Sequence, residues 1–384
     1  MAAWRQLGAW ILSAKRHATT ISPDRSSVYS FDLEGRPLSW FENDCTYKRS
    51  LASRVHVRDR AGGRRRRWTL TGEQASERFA AVLERTAKTP RAALDEELRT
   101  RLEAILGWTP ERLLEESRRF EATYEPVSIL PPDQYLSVVL QATFGCSWNR
   151  CTFCSFYQNR AFRTRTPAEF RAHTEAVNDL LGRARHLRPR IFLADGNALM
   201  LSETRLRELM DIACEAFPDR PLAGFIDVFT GEKKLAAGWA DLRERGLERV
   251  YVGLETGHDP LLAWINKPAT TERAREFVFS LKAARVRVSV ILMAGLGGRR
   301  FAEGHVRDSL DLVSRLPLED KDIVYLSPFV LDERSAYAQR AVQEHITPLD
   351  ETELQAQLET LRAGCRAAHP HVRVAPYDIR EFIY

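Results

Sequence analysis

The sequence predicts an α/β protein: a partial (β/α)6 TIM-like barrel that follows an N-terminal α+β appendage. From Gln134 onward, six short apolar runs are each followed by sequence with helical periodicity. Strands and helices that alternate at this spacing form parallel sheets joined by helical crossovers. Six such units suit an open, partial barrel better than the closed barrel of eight units. Before Gln134, hairpin turns and charged helical stretches replace this alternation.

The barrel strands are recognised by near-continuous apolar character, which indicates burial on both faces of a sheet. The predicted strands are 136–142, 190–194, 222–228, 249–254, 287–292 and 322–326. The first helix after them has Thr166 as its N-cap, Pro167 at its first position and Glu169 placed for a capping box. Chemistry in such folds gathers at the carboxyl ends of the strands. The loops after the strands are therefore the candidate site.

The chain divides into four predicted segments. These are an appendage of residues 1–125, a connector of residues 126–133, the barrel of residues 134–369 and a C-terminal tail of residues 370–384. The appendage has hairpins around Gly35 and Gly62, then a helix from Thr71 to about Ala87. We expect the tail, which mixes aromatic and charged residues from Tyr377 onward, to pack on the barrel.

Residues 1–20 carry no acidic side chain and place Trp4, Leu7, Trp10 and Ile11 at helical spacing. We interpret them as an amphipathic first helix packed on the domain, although their composition would also suit a transit peptide.

Composition points to a soluble protein of a reducing compartment, the cytoplasm. The 384 residues carry 57 basic and 52 acidic side chains, a formal net charge of +5. No apolar run approaches the ~18 residues that a membrane span requires. Six cysteines are too few for a disulfide scaffold in a chain of this length, and three of them lie within nine consecutive residues. We interpret the scattered Cys45, Cys214 and Cys365 as small core residues.

The clustered cysteines are the strongest chemical signal. Cys146, Cys151 and Cys154 follow the first barrel strand with the spacing C-x4-C-x2-C. Three thiolates on one loop suit iron–sulfur clusters or zinc. Structural zinc sites and electron-transfer [4Fe–4S] clusters take four protein ligands, and no fourth Cys or nearby His follows here. A cuboidal cluster held by three thiolates keeps one iron open to an exogenous chelating molecule.

A cysteine triad after the first strand of a six-unit βα barrel resembles the radical S-adenosylmethionine (radical SAM) superfamily. The commoner spacing in that family is C-x3-C-x2-C, so this chain has one extra residue. The resemblance implies one [4Fe–4S] cluster and S-adenosylmethionine as cosubstrate. Reductive cleavage of the cosubstrate then gives methionine and a 5′-deoxyadenosyl radical, which abstracts a hydrogen atom from a substrate.

The resemblance also implies contacts with the cosubstrate. Phe153 stands where the family packs a side chain near the adenine. The segment Asp195-Gly196-Asn197 after the second strand would meet the amino group, although the family has a Gly-Gly-Glu-like sequence there. Glu255, after the fourth strand, would contact the ribose or the methionine moiety, with a structural salt bridge as the alternative. The remaining predicted contact is Gly295, at the end of the fifth strand, which would line the adenine through backbone groups.

The substrate and the partners stay open at this point. The segment from Gly253 to Pro260 is closest in character to the branch of oxygen-independent coproporphyrinogen dehydrogenase-like proteins and methylthiotransferases. We expect a small-molecule substrate rather than RNA, a flavodoxin- or ferredoxin-type electron donor, no cobalamin and no membrane partner. The basic run Arg64–Arg67 beside Trp68 supports an RNA-modifying enzyme as the alternative. A non-catalytic relative that binds haem or a cluster is another.

Overall fold

The computed structural model describes residues 3–59, 66–382 and 384. The chain forms two compact units. The first comprises Met1–Val127, Glu175–Pro189 and Ile383–Tyr384, and the second comprises Ser128–Thr174 and Arg190–Phe382. Among the described residues, no helix combines the length and the apolar character that crossing a membrane would take.

The first unit is built on an eight-stranded antiparallel sheet in which every strand pairs with its neighbours in the chain. The strands are β1 (Ala3–Leu7), β2 (Trp10–Ala14), β3 (Thr19–Ser22), β4 (Val28–Phe31), β5 (Pro37–Glu42), β6 (Cys45–Arg49), β7 (Val55–Asp59) and β8 (Arg66–Leu70). Burial alternates along them, as in the three buried residues of β7. One face of the sheet therefore faces the core.

Three helices follow the sheet: α1 (Gly72–Ala87), α2 (Glu96–Leu106) and α3 (Pro110–Thr123). Their apolar faces share one buried cluster with the sheet, which includes Phe79, Leu98 and Leu113. Thr71 is the N-cap of α1, so the predicted start of this helix is confirmed. The types of element predicted for this region, hairpins followed by helices, are present in the structure. The turn predicted at Gly62 lies outside the described residues.

The interpretation of residues 1–20 as an amphipathic helix is wrong. Residues 3–20 form β1, β2 and the beginning of β3, with Leu7 paired to Trp10 across a tight turn. Gly8 makes that turn possible through its positive φ of 63°. Trp4 is 55% exposed, whereas Leu12 and Ala14, two residues apart, are buried. The period of burial is therefore that of a strand, because pairing with neighbouring strands outweighs the helical spacing of the apolar residues.

The second unit contains the predicted α/β partial barrel, an open sheet of seven strands that are all parallel. The strand order is β17-β16-β15-β14-β13-β12-β9. The strands are β9 (Ser137–Gln141), β12 (Arg190–Ala194), β13 (Leu222–Ile226), β14 (Leu247–Glu255), β15 (Arg287–Ala294), β16 (Ile323–Pro328) and β17 (Arg373–Pro376). A short ribbon of β10 (Thr143–Phe144) and β11 (Arg163–Thr164) follows β9. The predicted fold class is confirmed, and β17, inside the expected tail, adds a seventh strand.

Helices separate consecutive barrel strands. They are α4 (Pro167–Leu181), α5 (Glu203–Ala216), α6 (Val228–Gly231), α7 (Ala236–Glu244), α8 (Asp259–Trp264), α9 (Thr271–Ala283), α10 (Gly298–Ser314), α11 (Ala336–Gln343) and α12 (Glu351–Ala368). All five residues of β9 are buried, which agrees with a strand covered on both faces. The capping box at Thr166 forms, since its backbone N–H donates to the Glu169 carboxylate at 2.7 Å. The parallel strands bring their carboxyl ends, and the loops after them, to one edge of the sheet.

Candidate active site

The cysteine loop is closed at its base by the β10–β11 ribbon. Phe144 in β10 pairs with Arg163 in β11, so residues 145–162 form one loop directly after the first barrel strand. The guanidinium groups of Arg163 and Arg165 lie 3.5 and 4.4 Å from the centre of the Phe144 ring. Gly145 begins the loop with φ of 69°, a conformation that suits glycine. The ribbon therefore fixes both ends of the loop that carries the three cysteines.

The middle of the cysteine loop is hydrogen bonded to the segment that follows α8. The backbone N–H of Thr152 donates to the carbonyl of Ile265 at 3.0 Å. The indole N–H of Trp148 donates to the carbonyl of Asn266 at 2.9 Å, and the Asn266 amide donates to the carbonyl of Arg150 at 2.9 Å. These bonds hold the loop next to Lys267, the residue after Asn266.

All three cysteines line one cavity of about 300 Å³ at the carboxyl ends of the strands. Its wall also contains Phe153, Gly196, Asn197 and Glu255, so the structure brings together seven of the nine predicted site residues. Most of the remaining lining is apolar or aromatic: Ile129, Trp148, Phe156, Phe225, Ile226, Ile291, Met293, Pro328, Phe329, Val330, Leu331, Tyr377 and Ile379. Two of these, Tyr377 and Ile379, come from the predicted C-terminal tail.

The thiols of Cys151 and Cys154 lie in surroundings that disfavour their charged form. Burial raises the pKa of Cys151 to about 12 and that of Cys154 to about 11, and the neighbouring cysteines add to both shifts. The three sulfur atoms are therefore close enough to influence one another. No disulfide joins any of the six cysteines. A bound cation would have to supply the free energy that deprotonates these thiols, which is how metal binding is linked to proton release.

The donor set fits a [4Fe–4S] cluster with one open iron. Thiolates are the ligands that such clusters take, and here three of them share one loop and one cavity. Among the described residues, no three His, Cys, Asp or Glu side chains converge tightly enough to hold a single metal ion. A cuboidal cluster makes a different demand, because its ligands surround four irons rather than one point.

Glu255 forms a buried ion pair at the cavity wall. Its carboxylate accepts from the Lys267 ammonium at 2.6 Å, and the two side chains are 10% and 9% exposed. Glu255 ends β14 with φ of 62°, next to a register shift between Gly253 and Glu255. Such bulges re-aim side chains at the ends of strands. The salt bridge that the sequence left as an alternative is thus present, on a residue that also faces the cavity.

The segment after β12 packs closely against the cysteine loop. A side chain on Gly196 would come within 2.8 Å of the Gly145 carbonyl and 2.9 Å of the Tyr157 ring. Asn197 faces the cavity, and its amide donates to Ser147, to Thr230 and to the carboxylate of Asp227. Glycine is therefore required at position 196 by the approach of the two backbones.

Asp195 is buried behind this wall rather than exposed in it. Its carboxylate forms a salt bridge with Arg160 at 3.2 Å and accepts a hydrogen bond from the Tyr157 hydroxyl. Burial raises the pKa of Asp195 to about 6 despite these two partners. Asp195 thus anchors the cysteine loop through Tyr157 and Arg160, both of which belong to that loop.

Gly295 lines a different cavity, of about 730 Å³. Its backbone N–H donates to the Gln357 side chain at 2.6 Å. Met293, two residues earlier in the chain, lines the cysteine cavity instead. The sequence placed the strand end correctly, but it did not show toward which side the chain turns after β15.

Sequence reasoning missed Lys267. It follows a short helix rather than a strand end, and no spacing links it to Glu255. Only the fold brings the two together, so no local signal in the sequence identifies it.

The fold and this site define an α/β partial-barrel protein with three thiols at the mouth of the barrel. Residues 140–310 match the sequence model of the radical SAM superfamily. The predicted resemblance to that superfamily is thereby confirmed. It is a superfamily of enzymes, and the matched segment runs from the end of β9 into α10.

Three individual proteins that are similar to this chain share only 14–24% sequence identity with it. The chain is 24% identical over 218 residues to 4′-phospho-dehydrooxetanocin synthase from Priestia megaterium, an alignment that spans 49% of this chain and 28% of that protein. The cobalamin-dependent radical enzyme OxsB is similar in structure, with a TM-score of 0.38, 16% identity, and coverage of 59% of this chain and 30% of OxsB. Coproporphyrinogen III oxidase (HemN) from Escherichia coli has a TM-score of 0.44 and 14% identity, with coverage of 60% and 52%.

The chain thus spans under a third of the length of the first two of these proteins. The substrates and partners of those proteins are therefore not assigned to this chain.

Proposed function

We propose that this protein is a radical SAM enzyme in which Cys146, Cys151 and Cys154 hold one [4Fe–4S] cluster. The observation that carries the proposal is the position of the three thiols. They share one loop and line one cavity at the carboxyl ends of the parallel strands, within the segment that matches the superfamily. The cluster would supply the electron that cleaves S-adenosylmethionine into methionine and a 5′-deoxyadenosyl radical.

The side chains around the thiols would bind and orient the cosubstrate. Phe153, Asn197 and Glu255 all line the cavity, where they would contact the adenine, the amino group and the ribose or methionine moiety. Gly196 would let the loop after β12 approach closely, and Asp195 would hold that loop through Tyr157. Gly295 lines the second cavity and donates its N–H to Gln357, so the proposed cosubstrate site does not include it.

The apolar lining would exclude water from the reacting atoms. A reactive radical must be protected from side reactions, and a dry, shaped cavity is the contribution that a protein makes to such chemistry. We propose a small-molecule substrate for this cavity, an electron donor of the flavodoxin or ferredoxin type, and a cytoplasmic location. The six free cysteines agree with a reducing compartment.

The test begins with anaerobic reconstitution with iron and sulfide. We expect about four irons and four sulfides per chain, as in one [4Fe–4S] cluster. With dithionite and S-adenosylmethionine, the protein should release 5′-deoxyadenosine. Cys146→Ala, Cys151→Ala and Cys154→Ala should each abolish this release, whereas Cys214→Ala, a matched cysteine on α5, should leave it intact.

Two results would contradict the proposal. A colourless protein that contains only zinc after anaerobic purification would exclude the cluster. A cluster that forms without any release of 5′-deoxyadenosine would instead indicate the non-catalytic alternative.

A further inference from the structure

The second cavity, which contains Gly295, is larger than the cysteine cavity. Its volume is about 730 Å³, compared with about 300 Å³. Its walls are α11, the segment after β16 and the beginning of α12, all in the second unit. Most of its lining is apolar, including Ala341, Ile346 and Leu354, and Glu333 is the one charged residue among the described lining. This composition suits an uncharged ligand and disfavours an anion.

The rim of this cavity exposes large apolar side chains. Leu331 is 44% exposed and Val342 is 75% exposed, and both belong to the lining. Apolar surface in contact with water costs about 25 cal/mol per Å² relative to burial. Single exposed apolar residues are ordinary, so the exposure of these two residues matters here because both also line an apolar cavity.

The two cavities share a wall. Phe329 and Leu331 line both of them. Phe329 is held in place from two sides, because its N–H donates to the Ala294 carbonyl at 2.8 Å and its ring packs 4.6 Å from that of Tyr337. The Tyr337 hydroxyl in turn accepts from the Gly297 N–H at 2.8 Å. A molecule in the second cavity would therefore lie one side chain away from the cysteine cavity.

Volume also argues for a second compartment. Pockets for organic ligands span about 300–1,000 Å³, so the cysteine cavity is at the lower limit and suits one such molecule. The reaction proposed above needs two organic molecules at once, the cosubstrate and the substrate. Since the cosubstrate must reach the cysteines, the bulk of the substrate requires neighbouring space.

We propose that the second cavity binds an uncharged, apolar part of the substrate, whose reacting end passes Phe329 into the cysteine cavity. This inference rests on the proposed radical SAM function. It names the substrate class as a neutral molecule with an aliphatic or aromatic portion. Phe329 and Leu331 form the passage between the compartments, and Val342 forms part of the entrance.

The test uses N-phenyl-1-naphthylamine, an uncharged apolar dye whose fluorescence rises when it is bound. The reconstituted full chain should bind it with a measurable Kd. Val342→Glu should weaken binding roughly tenfold, because the dye must then displace water from a carboxylate. Leu235→Glu is the matched control, since Leu235 is 77% exposed in the same unit but lies outside this cavity.

A saturating concentration of S-adenosylmethionine should leave dye binding unchanged, because the two molecules occupy different compartments. Equal Kd values for Val342→Glu and Leu235→Glu would overturn the proposal. Displacement of the dye by S-adenosylmethionine would overturn it as well.

Failure of the proposed radical SAM function is detected by a measurement that does not depend on dye binding. Dye binding needs neither reduction nor cleavage, whereas release of 5′-deoxyadenosine with dithionite reports the cluster and the cosubstrate site. Leu235→Glu, which lies outside both cavities, should release as much 5′-deoxyadenosine as the parent protein in the absence of substrate. Thermal melts of both variants establish that each is folded.

Discussion

Two clusters of buried charge, one in each unit of this protein, differ in what surrounds them. In the first unit, Arg36 contacts Asp32 at 2.7 Å and Glu116 at 3.0 Å, and Arg49 contacts Glu116 at 3.1 Å. All four side chains are at most 7% exposed. Arg36 also donates to the carbonyls of Leu180 and Leu181, within the same unit. This network joins turn, strand and helix, and its members are surrounded by protein.

In the second unit, the Glu255–Lys267 pair is almost as deeply buried, but both residues line a cavity. Burying an ion pair often yields little net stability, because desolvation offsets the attraction of the charges. A network that is enclosed by protein therefore serves mainly to fix the relative positions of the segments that it joins. A pair that faces a cavity next to three cysteines has a further use available, which is contact with a ligand.

The largest expected effect concerns the enclosed network. Glu116→Gln removes the carboxylate that Arg36 and Arg49 share, which leaves buried positive charge uncompensated. Loss of one partner from a buried ion pair typically costs about 3–5 kcal/mol. Because of this loss of stability, the urea midpoint of unfolding, measured by far-UV circular dichroism, should fall. Glu115→Gln, one residue earlier on α3 and exposed, should leave the midpoint unchanged. Equal midpoints for the two variants would show that the network does not stabilise the fold.

The cavity pair should separate stability from binding. Lys267→Met leaves Glu255 buried without its cation and should destabilise the protein by about 3 kcal/mol. The double variant Glu255→Gln/Lys267→Met removes both charges and should recover most of that loss. Its affinity for S-adenosylmethionine should nevertheless stay at least tenfold weaker, as measured by equilibrium dialysis. Recovery of both properties would assign the pair a purely structural role.

The sequence predicted the barrel well and the first strands poorly, for a physical reason. Strands such as β12 are covered on both faces, so their apolar runs are continuous and unambiguous. Strands β1 and β2 are only partly covered, and the apolar residues Trp4, Leu7, Trp10 and Ile11 happen to follow helical spacing. The cysteines were recognisable because their ligand spacing is local. Lys267 was not, because it meets Glu255 only through the fold.

A smaller effect is expected where the cysteine loop meets the turn after β12. Gly196→Ala places a methyl group within 2.8 Å of the Gly145 carbonyl, so the loop that begins there must shift. Overpacking of this kind typically costs about 1–3 kcal/mol. Iron content per chain after reconstitution should fall together with the urea midpoint. Gly107→Ala serves as the control, since its φ of −71° is ordinary and its nearest contacts are at 3.5 Å. Full iron content in Gly196→Ala would show that the loop accommodates the change.

The last effect, which is about 1.4 kcal/mol for each pH unit, concerns an ionisable group that the barrel buries away from the cysteine cavity. Burial lowers the pKa of His305 to about 4, and the nearby His258 adds to the shift. The imidazole is therefore neutral in the folded protein, with Nδ1 bonded to the Thr256 hydroxyl at 2.7 Å. Because the unfolded chain binds this proton more tightly, stability should fall as the pH drops from about 6.5 toward 4, by about 1.4 kcal/mol per pH unit.

This prediction is tested by measuring the urea midpoints of the parent protein and of His305→Gln from pH 4.5 to 6.5. The quantity of interest is the difference between the two midpoints at each pH. The variant should be less dependent on pH, whereas His371→Gln, an exposed histidine of the same unit, should follow the parent protein. Parallel curves for His305→Gln and the parent would mean that His305 keeps its proton on folding. The hydroxyl of Thr256 would then be the partner of a buried, charged imidazole, unlike the carboxylates that pair with the buried arginines of the first unit.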